Sequence, residues 1–271
     1  MPGKKAAMQT IILCISGHDP SGGAGIQADI ETINQLGGHA ASLISCLTLQ
    51  DSHGLQECRP VEADWLRRQA ELLLADFPIA AVKVGALGSL AVAQATTAII
   101  QQLRSTQPDL PVVIDPVLSA GGGGALADNS VLEHLISQLL PMASLATPNL
   151  SELERLTTIS DNPDTAAASL LQQGCDALLL TGTDSPASLA DNITHWLYAA
   201  PNKAQAFNCQ RLPGDYHGSG CTLAAALALY LAQGLDRIAA TTAALHYCWQ
   251  SLAQGQPLGR GQAFPRRGPL S

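Results

Sequence analysis

The stretch TIILCISGHDPSGGAGIQADIETINQL, residues 10–36, joins two structural patterns through a glycine-rich segment. Residues 10–15 are a continuous β-branched and apolar run, which indicates a buried strand. Residues 24–36 carry apolar side chains at helical spacing and stop at Gly37-Gly38, which is typical of a helix end. A strand that leads directly into a helix predicts the first unit of an α/β fold with parallel strands.

The same alternation continues along the chain. It predicts further strands at 41–47, 80–84, 111–114, 144–146 and 177–180, and helices at 62–74, 90–103, 128–140, 220–231 and 237–252. Two further helical segments are predicted on either side of Asp161-Asn162-Pro163. Residues 193–198 and 204–209 flank a Pro-Asn-Lys turn, which is typical of a hairpin. Short apolar strands between helices favour a mostly parallel central sheet flanked by helices. We therefore predict one three-layer α/β/α domain over residues 1–271, with residues 1–9 as a flexible N-terminal segment.

Composition narrows the functions open to this chain. Hydrophobic residues make up 46% and charged residues 13% of the sequence, so a large aliphatic core is available. The net charge of −8 argues against general nucleic-acid binding, because phosphate contacts need clustered Lys and Arg. The basic pairs Lys4-Lys5 and Arg266-Arg267 are interpreted as solubilising ends.

The cysteines and the apolar runs bear on the compartment. Seven cysteines are scattered without a CxxC pair, which argues against a disulfide framework and a zinc site. The apolar run near residue 10 leads into His18-Asp19-Pro20, so it is interpreted as a strand and not as a signal peptide. The apolar run 223–232 is too short to span a membrane. We expect a cytoplasmic protein.

Polar residues collect where the predicted strands end. They are residues 17–19, Gln50-Asp51, residues 83–86, Asp115 and Asn149. In open α/β sheets ligands bind beyond the carboxyl ends of the strands, so these residues predict the site. Asp115, Asn149 and Glu152 are candidate oxygen ligands for hydrated Mg²⁺. The alternative is that Asn149 and Ser151 only cap a helix beginning near Glu152.

Two glycine-rich segments leave alternatives open. Gly23-Ala24-Gly25 with Ala28 matches a short dinucleotide-binding pattern, for which Asp51 would be the ribose acid, but it also fits a plain connector. Residues 121–124, all glycine, form either a plain loop or a lid over a phosphate. No Walker A sequence occurs, which excludes a P-loop NTPase.

The segment HGSGCT, residues 217–222, precedes the apolar run LAAALALYLA. It fits a plain turn, a reactive thiol or an anion-binding site. The first turn of a helix has free N–H groups and a positive dipole end, and glycines let a phosphate approach them. The anion site is therefore the strongest interpretation, and we expect a lowered pKa for Cys221.

Six ordered motifs resemble those of the bacterial hydroxymethylpyrimidine/phosphomethylpyrimidine kinases of the ribokinase-like superfamily: SGHDPSGGAGIQADI, LTLQD, KVGALGS, VVIDPV, ATPNLSELERL and HGSGCTLAAALA. The resemblance covers about residues 10–267. It implies a ribokinase-like fold, a homodimer, and ATP and Mg²⁺ as co-substrate and cofactor. The implied reaction phosphorylates 4-amino-5-hydroxymethyl-2-methylpyrimidine, and then its monophosphate, in thiamine biosynthesis.

The resemblance also implies roles for individual residues. It places the pyrimidine at Gly17, Asp29, Thr48, Gln50, Ala86 and Val117. It places ATP and its phosphates at Asp115, Asn149, Glu152, Thr181 and Gly182, with Mg²⁺ at Asp115, Asn149 and Glu152, directly or through water. The anion hole would be Gly218, Ser219, Gly220 and Cys221. Related kinases carry an aspartate base where this chain has Cys221, so the thiol is expected to act as base or as oriented donor.

Two departures from the family pattern bear on selectivity. Ala86 replaces the methionine that usually covers the pyrimidine, which leaves space for a larger ring such as pyridoxal. Residues 121–124 lack the lysine that many members carry in the lid, and Arg260 is a candidate substitute. The alternatives to a pyrimidine kinase are a pyridoxal-type kinase, a pyrimidine binder without catalysis, and an oxidoreductase.

Overall fold

The chain alternates strands and helices, as its sequence predicts. The computed structural model describes residues 9–119, 124, 126–182, 191–200 and 203–269. The strands are β1 (Ile11–His18), β2 (His39–Gln50), β3 (Leu55–Pro60), β4 (Ile79–Val84), β5 (Val112–Ile114), β6 (Leu145–Ala146), β7 (Leu178–Leu180), β8 (Asn192–Ala200) and β9 (Lys203–Gln210). The helices are α1 (Gly25–Gln35), α2 (Ala63–Asp76), α3 (Leu90–Thr106), α4 (Asn129–His134), α5 (Leu150–Thr157), α6 (Pro163–Gln172), α7 (Ser219–Ala232) and α8 (Arg237–Ala253).

These strands pair into one sheet in the order β3-β2-β1-β4-β5-β6-β7-β8-β9. In this order the five neighbouring pairs from β2-β1 to β6-β7 are parallel. Strand β3 pairs antiparallel with β2, and β8 pairs antiparallel with both β7 and β9. Parallel neighbours need crossover connections, and the crossover helices cover both faces of the sheet. The predicted three-layer α/β/α architecture with a mostly parallel sheet is therefore confirmed.

Side chains of strand β1 pack into two apolar layers, one on each face of the sheet. Leu13 and Ile15 face the layer formed with helices α2 to α6, whereas Ile12 and Cys14 face the layer formed with α1, α7 and α8. All four side chains are 0% exposed. Successive side chains of a strand point to opposite faces, so a sheet covered on both sides requires a continuous apolar run. This is why the opening apolar run predicts a central strand.

Helix α7 lies against the middle of the sheet. Its residues from Thr222 to Leu229 are all buried, and the helix packs on α1, α8, β1, β4 and β5. A helix that is apolar on every side is stable only when it is covered on every side. Burial therefore fixes where the first turn of α7 lies relative to the ends of the central strands.

Two elements differ from the sequence prediction. Strand β3 is an edge strand with mostly exposed side chains, so it has no apolar alternation to predict it. The helix predicted at 128–140 is divided, because α4 continues into a π-helical turn, Leu135–Leu139, and a 3₁₀ turn, Leu140–Met142. Pro141 lies in the 3₁₀ turn, where its missing N–H favours the end of the regular helix.

The ends of the chain differ in how far their predictions can be followed. Lys4-Lys5 and most of the predicted flexible segment lie outside the described residues. Arg266 is exposed, but Arg267 is only 4% exposed, so the interpretation of this pair as a solubilising end is wrong for Arg267. All seven cysteines are free. Among the described helices, none combines the length and the apolar character needed to cross a membrane.

The burial of α7 makes a stability prediction. Leu227 is 0% exposed, so Leu227→Ala should lower the free energy of unfolding by about 2–5 kcal/mol through lost burial and a residual cavity. The matched control is Leu72→Ala on α2, where the side chain is 75% exposed and the change should stay within about 0.5 kcal/mol. Urea unfolding of both variants measures the difference. Equal losses would contradict the central place of α7.

Candidate active site

A cavity of about 510 Å³ opens at the carboxyl ends of the parallel strands. Its walls include residues at or just beyond the ends of β1, β5, β6 and β7, the first turn of α7, and part of the hairpin formed by β8 and β9. Parallel strands end at the same edge of a sheet, which brings side chains from distant parts of the sequence together. The polar residues predicted at the strand ends meet here for this reason.

Most residues assigned by the resemblance line this cavity. They are Gly17, Thr48, Gln50, Ala86, Asp115, Val117, Asn149, Glu152, Thr181, Gly218, Ser219, Gly220 and Cys221. Gly182 does not, because it packs against Thr194 of β8, and its N–H donates to His195 Nδ1 at 3.4 Å. Asp29 does not either, since its side chain is 0% exposed. The contacts of the lining residues with a ligand stay predictions.

Asp29 takes part in a buried ion pair instead of forming a pocket wall. Its Oδ1 lies 2.8 Å from Lys83 Nζ, and both side chains are 0% exposed. Lys83 follows Val82 in β4 and so points to the layer that contains α1, where it meets Asp29. Burial alone would lower the pKa of Lys83, but the carboxylate of Asp29 raises it well above its usual value. Lys83 is therefore a permanent cation next to the site.

The loop between β1 and α1 is organised by Asp19. Its Oδ1 accepts the N–H of Ser21 at 2.9 Å and the hydroxyl of Ser21 at 2.8 Å, and its Oδ2 accepts the N–H of Ala24 at 2.9 Å. His217 Nε2 lies 2.7 Å from Asp19 Oδ2, which joins this loop to the segment before α7. Burial would raise the pKa of Asp19, but hydrogen bonds with His217, Gln50 and Ser21 lower it well below its usual value. Asp19 therefore stays ionised.

The first turn of α7 forms part of the cavity wall. Gly218 caps the helix with a φ of 77°, a left-handed conformation that glycine adopts without steric cost. The N–H of Thr222 makes the first helical hydrogen bond, to Gly218 O at 3.0 Å, so the N–H groups of residues 219–221 have no acceptor within the helix. A Cβ at Gly220 would lie 3.7 Å from Asp115 Oδ2. The helix N-terminus and a carboxylate thus border the same space.

The thiol of Cys221 is not the activated group that its position predicts. Enclosure by the protein raises the pKa of Cys221 to about 12, and the nearby Lys83 only partly offsets this effect. The expectation of a lowered pKa is wrong, because burial outweighs the positive end of the helix. Burial also raises the pKa of Asp115 to about 6, against the lowering influence of Lys83. A thiol that keeps its proton at neutral pH is suited to donate a hydrogen bond, not to accept a proton.

Asn149 and Glu152 form a reciprocal cap at the start of α5. The N–H of Glu152 donates to Asn149 Oδ1 at 2.8 Å, and the N–H of Asn149 donates to Glu152 Oε2 at 3.0 Å. The capping interpretation is confirmed for Asn149, whereas Ser151 lies inside the first turn. Both capping residues also line the cavity with Asp115, so capping does not exclude a second role.

The donor set fits hydrated Mg²⁺ better than a fully protein-bound metal. In the part of the chain that the structure describes, no group of three or more His, Cys, Asp or Glu could hold a metal ion. Magnesium usually takes one or two carboxylates and completes its shell with water and substrate phosphates. Asp115 and Glu152 supply carboxylates at the wall of a cavity that the first turn of α7 also lines.

Sequence comparison assigns the chain to a family. The family model for phosphomethylpyrimidine kinase matches residues 19–266. The chain belongs to this family. The hydroxymethylpyrimidine/phosphomethylpyrimidine kinase of Streptomyces coelicolor is 36% identical over 93% of this chain and 91% of its own length. The kinase of the same name from Escherichia coli is 36% identical over 80% of each chain.

Solved structures of kinases share the fold of this family member. Bacillus subtilis pyridoxal kinase in an ADP complex matches with a TM-score of 0.84 and 25% identity over 96% of this chain and 97% of that chain. The phosphomethylpyrimidine kinase of Clostridium difficile 630 matches with a TM-score of 0.74 and 28% identity over 89% of this chain and 98% of that chain. The ribokinase-like fold predicted from the motifs is thereby confirmed.

One wall of the cavity consists of residues that the sequence analysis does not predict as site residues. It is formed by Cys209, Gln210 and Arg211 at the end of β9 and by Leu245, Trp249 and Leu252 of α8. These positions carry no local motif, and only the packing of α8 beside β9 brings them together. His195 of β8 also lines the cavity, and burial lowers its pKa to about 4, which keeps its ring neutral.

Three further predictions concern Arg260, Asp51 and the glycine segment 121–124. Arg260 is exposed and does not line the cavity, so it is not placed to replace a lid lysine. Asp51 has a side chain that is 64% exposed and does not line the cavity, which removes the expected ribose acid of a dinucleotide site. Of the glycine segment, residues 121–123 lie outside the described residues, and Gly124 packs against Leu55 of β3.

The buried ring of His195 predicts a pH dependence. The pKa of His195 in the folded chain is about 4, below its usual value of about 6.5. As the pH falls, the unfolded chain therefore binds a proton at this histidine before the folded chain does. The free energy of unfolding should consequently fall as the pH drops from about 6.5 to about 4. His195→Asn keeps an acceptor for the N–H of Gly182 and does not titrate, so its free energy of unfolding should fall less between about pH 7 and about pH 5. Urea unfolding at both pH values measures this difference. His246→Asn, at an exposed position, is the matched control, and an identical pH dependence in both variants would contradict the prediction.

Proposed function

We propose that this protein transfers the γ-phosphoryl group of ATP to the hydroxymethyl oxygen of 4-amino-5-hydroxymethyl-2-methylpyrimidine and then phosphorylates the monophosphate to the diphosphate. These steps belong to thiamine biosynthesis. The observation that carries the proposal is one cavity, in a member of the phosphomethylpyrimidine kinase family, that joins a small polar pocket to a helix N-terminus. A coupled assay of ADP release with the pyrimidine, its monophosphate and pyridoxal tests it. Tight pyrimidine binding without turnover would favour a binder without catalysis.

The two ends of the cavity suit the two substrates. Gly17, Thr48, Gln50 and Val117 line the cavity, and their hydroxyl, amide and backbone groups can pair with the edge of an aminopyrimidine. The first-turn N–H groups of α7 suit the phosphates of ATP, because they combine free donors with a positive dipole end. Asp29 has no direct contact with the pyrimidine in this proposal, because its side chain is 0% exposed and pairs with Lys83.

Asp115, Asn149 and Glu152 are proposed to hold Mg²⁺, partly through water. When bound, Mg²⁺ supplies positive charge that offsets the charge of the transferring phosphate. The residues of the chain orient the reactants: the first turn of α7 holds the phosphoryl group, and the pocket holds the hydroxymethyl oxygen. Phosphoryl transfer depends mainly on positioning and charge stabilisation, so a strong base is not required.

Assembly and location are further parts of the proposal. Leu47 and Leu49 on β2 are 48% and 58% exposed, and they offer an apolar surface for a second subunit of a homodimer. The seven free thiols are compatible with a reducing cytoplasm. Size-exclusion chromatography with light scattering tests the dimer.

The protonated thiol of Cys221 predicts how its substitution acts. Cys221→Ala removes a donor at the helix N-terminus and should lower kcat at least about 100-fold, the usual cost of losing an oxyanion-hole donor. Cys221→Ser keeps a hydroxyl donor at the same position. It should therefore keep most of the turnover if the thiol acts as a hydrogen-bond donor. Steady-state kcat of both variants measures this. Wild-type turnover in Cys221→Ala would refute the role, and equal losses in both variants would favour the thiol as base.

A pyridoxal-type activity is the second candidate, because a specific residue favours it. Ala86 lines the cavity, and its Cβ lies 3.6 Å from the position of a Cβ at Gly17. A methionine at residue 86 would occupy space that the alanine leaves open. Pyridoxal carries a larger set of ring substituents, and it fits a pocket with this space better than a pocket without it.

Restoring a long side chain should therefore separate the two substrates. Ala86→Met should lower kcat/KM for pyridoxal about 10-fold or more relative to the pyrimidine, because filling a pocket penalises the larger ring. Ala75→Met, at an exposed position of α2, is the matched control. Competitive assays with both substrates measure the ratio. An unchanged ratio would show that Ala86 does not set selectivity.

A further inference from the structure

Arg267 lies near the C-terminal end of the described residues, yet its side chain is only 2% exposed. The segment that carries it is anchored on α8, because the N–H of Arg266 donates to Ser251 O at 2.9 Å and Ser251 Oγ donates to Arg266 O at 2.8 Å. The side chain of Arg266 points outward and is exposed. Two adjacent arginines thus have opposite environments.

The guanidinium of Arg267 bridges the two loops of the proposed phosphate site. Towards α7, its Nε donates to Thr222 Oγ1 at 2.8 Å, and its Nη2 lies 3.5 Å from His217 O. Towards the loop between β1 and α1, Nη2 donates to Gly23 O. Nη1 donates to Glu31 Oε2 of α1 at 3.2 Å, which pairs the buried charge. One side chain therefore satisfies acceptors from three separate segments.

The two loops touch at Gly218, the cap of α7. A Cβ at Gly218 would lie 2.8 Å from Ala24 Cα and 2.8 Å from Arg267 Nη2. It would also clash with Gly23 O. The N-terminus of α7 therefore packs closely against the β1–α1 loop, and the guanidinium of Arg267 lies where the two segments meet.

We propose that Arg267 is a positioning residue that holds the first turn of α7 in register with the β1–α1 loop, so that the N–H groups of residues 219–221 point at the transferring phosphoryl group. Arg267 does not line the cavity, and its hydrogen bonds to Thr222 and to the carbonyls of His217 and Gly23 join it to the two segments that do, so it acts on catalysis through them. The inference rests on the proposed kinase function. A misplacement of catalytic groups by about 1 Å can cost about 100-fold in rate, which makes such a brace functionally important.

Arginine is the residue that this position requires. A guanidinium has five N–H donors in a planar fork, whereas an ammonium has three donors on one atom. Lysine at residue 267 would keep the charge near Glu31 but could not reach Thr222 and Gly23 together. Arg267→Lys therefore removes the bridge with little change in net charge.

The test compares Arg267→Lys with Arg266→Lys, the same substitution at the exposed neighbour. Arg267→Lys should lower kcat about 10- to 100-fold, by the positioning argument, and leave the dissociation constant of the hydroxymethylpyrimidine within about two-fold. Arg266→Lys should leave both within about two-fold of the wild type. Thr222→Val removes the acceptor of Nε and should lower kcat alone. The double variant should be less impaired than the product of the two single effects, because both changes remove the Arg267–Thr222 hydrogen bond, whereas the bond from Thr222 Oγ1 to Gly218 O is lost only in Thr222→Val.

Three kinetic results would overturn the proposal: equal kcat for Arg267→Lys and Arg266→Lys, an equal loss of pyrimidine affinity and of kcat in Arg267→Lys, or independent effects of Arg267→Lys and Thr222→Val. Amide hydrogen exchange supplies a readout that does not need activity. Exchange of residues 217–222 and 19–25 should rise in Arg267→Lys but not in Arg266→Lys, and unchanged exchange would overturn the proposal. An inactive wild type with the expected exchange pattern would count against the kinase function alone.

Discussion

The burial of helix α7 on every side is the constraint on which the rest of the site depends. Residues 222–229 are enclosed between the sheet and helices α1 and α8, so the axis of α7 has little freedom. Its N-terminus is consequently fixed beside Asp115 at the end of β5. The phosphate site proposed at this helix end would need such rigidity, because backbone N–H groups stabilise charge only if they are already oriented when the charge develops.

Buried charges then complete the surroundings of that helix end. Lys83 and Arg267 are buried cations that pair with Asp29 and Glu31 of α1. Unpaired charges inside a protein are costly, so each cation needs a carboxylate partner and constrains the element that carries it. Helix α1 is in this way tied to β4 on one side and to the C-terminal segment on the other. Both ion pairs fix the position of α1, and they therefore also restrict the β1–α1 loop that leads into it.

Local sequence patterns predict the parts of this design that local physics decides. The run 11–15 is apolar because β1 is covered on both faces, and Gly218 caps α7 in a left-handed conformation that glycine adopts without steric cost. The edge strand β3 has no such pattern, because its conformation comes from pairing with β2. The pair of Lys83 and Asp29 joins residues 54 positions apart, and only the fold decides that they meet. The pKa of Cys221 escapes prediction for the same reason, since burial outweighs the helix end.

Pyridoxal and pyrimidine kinases share this fold, so under the proposed function selectivity depends on individual side chains of the cavity and not on the fold. At Gly17, which lines the cavity, the packing is tight, since a Cβ there would lie 2.9 Å from Cys46 Sγ. The same Cβ would lie 3.6 Å from Ala86 Cβ, which is an ordinary contact distance, so residue 86 is a direct neighbour of this part of the wall. The proposed role of Ala86 follows from this position, because a longer side chain there would occupy space next to Gly17. In this proposal the first turn of α7 keeps its role for any alcohol, and the side chain at residue 86 changes which rings fit beside it.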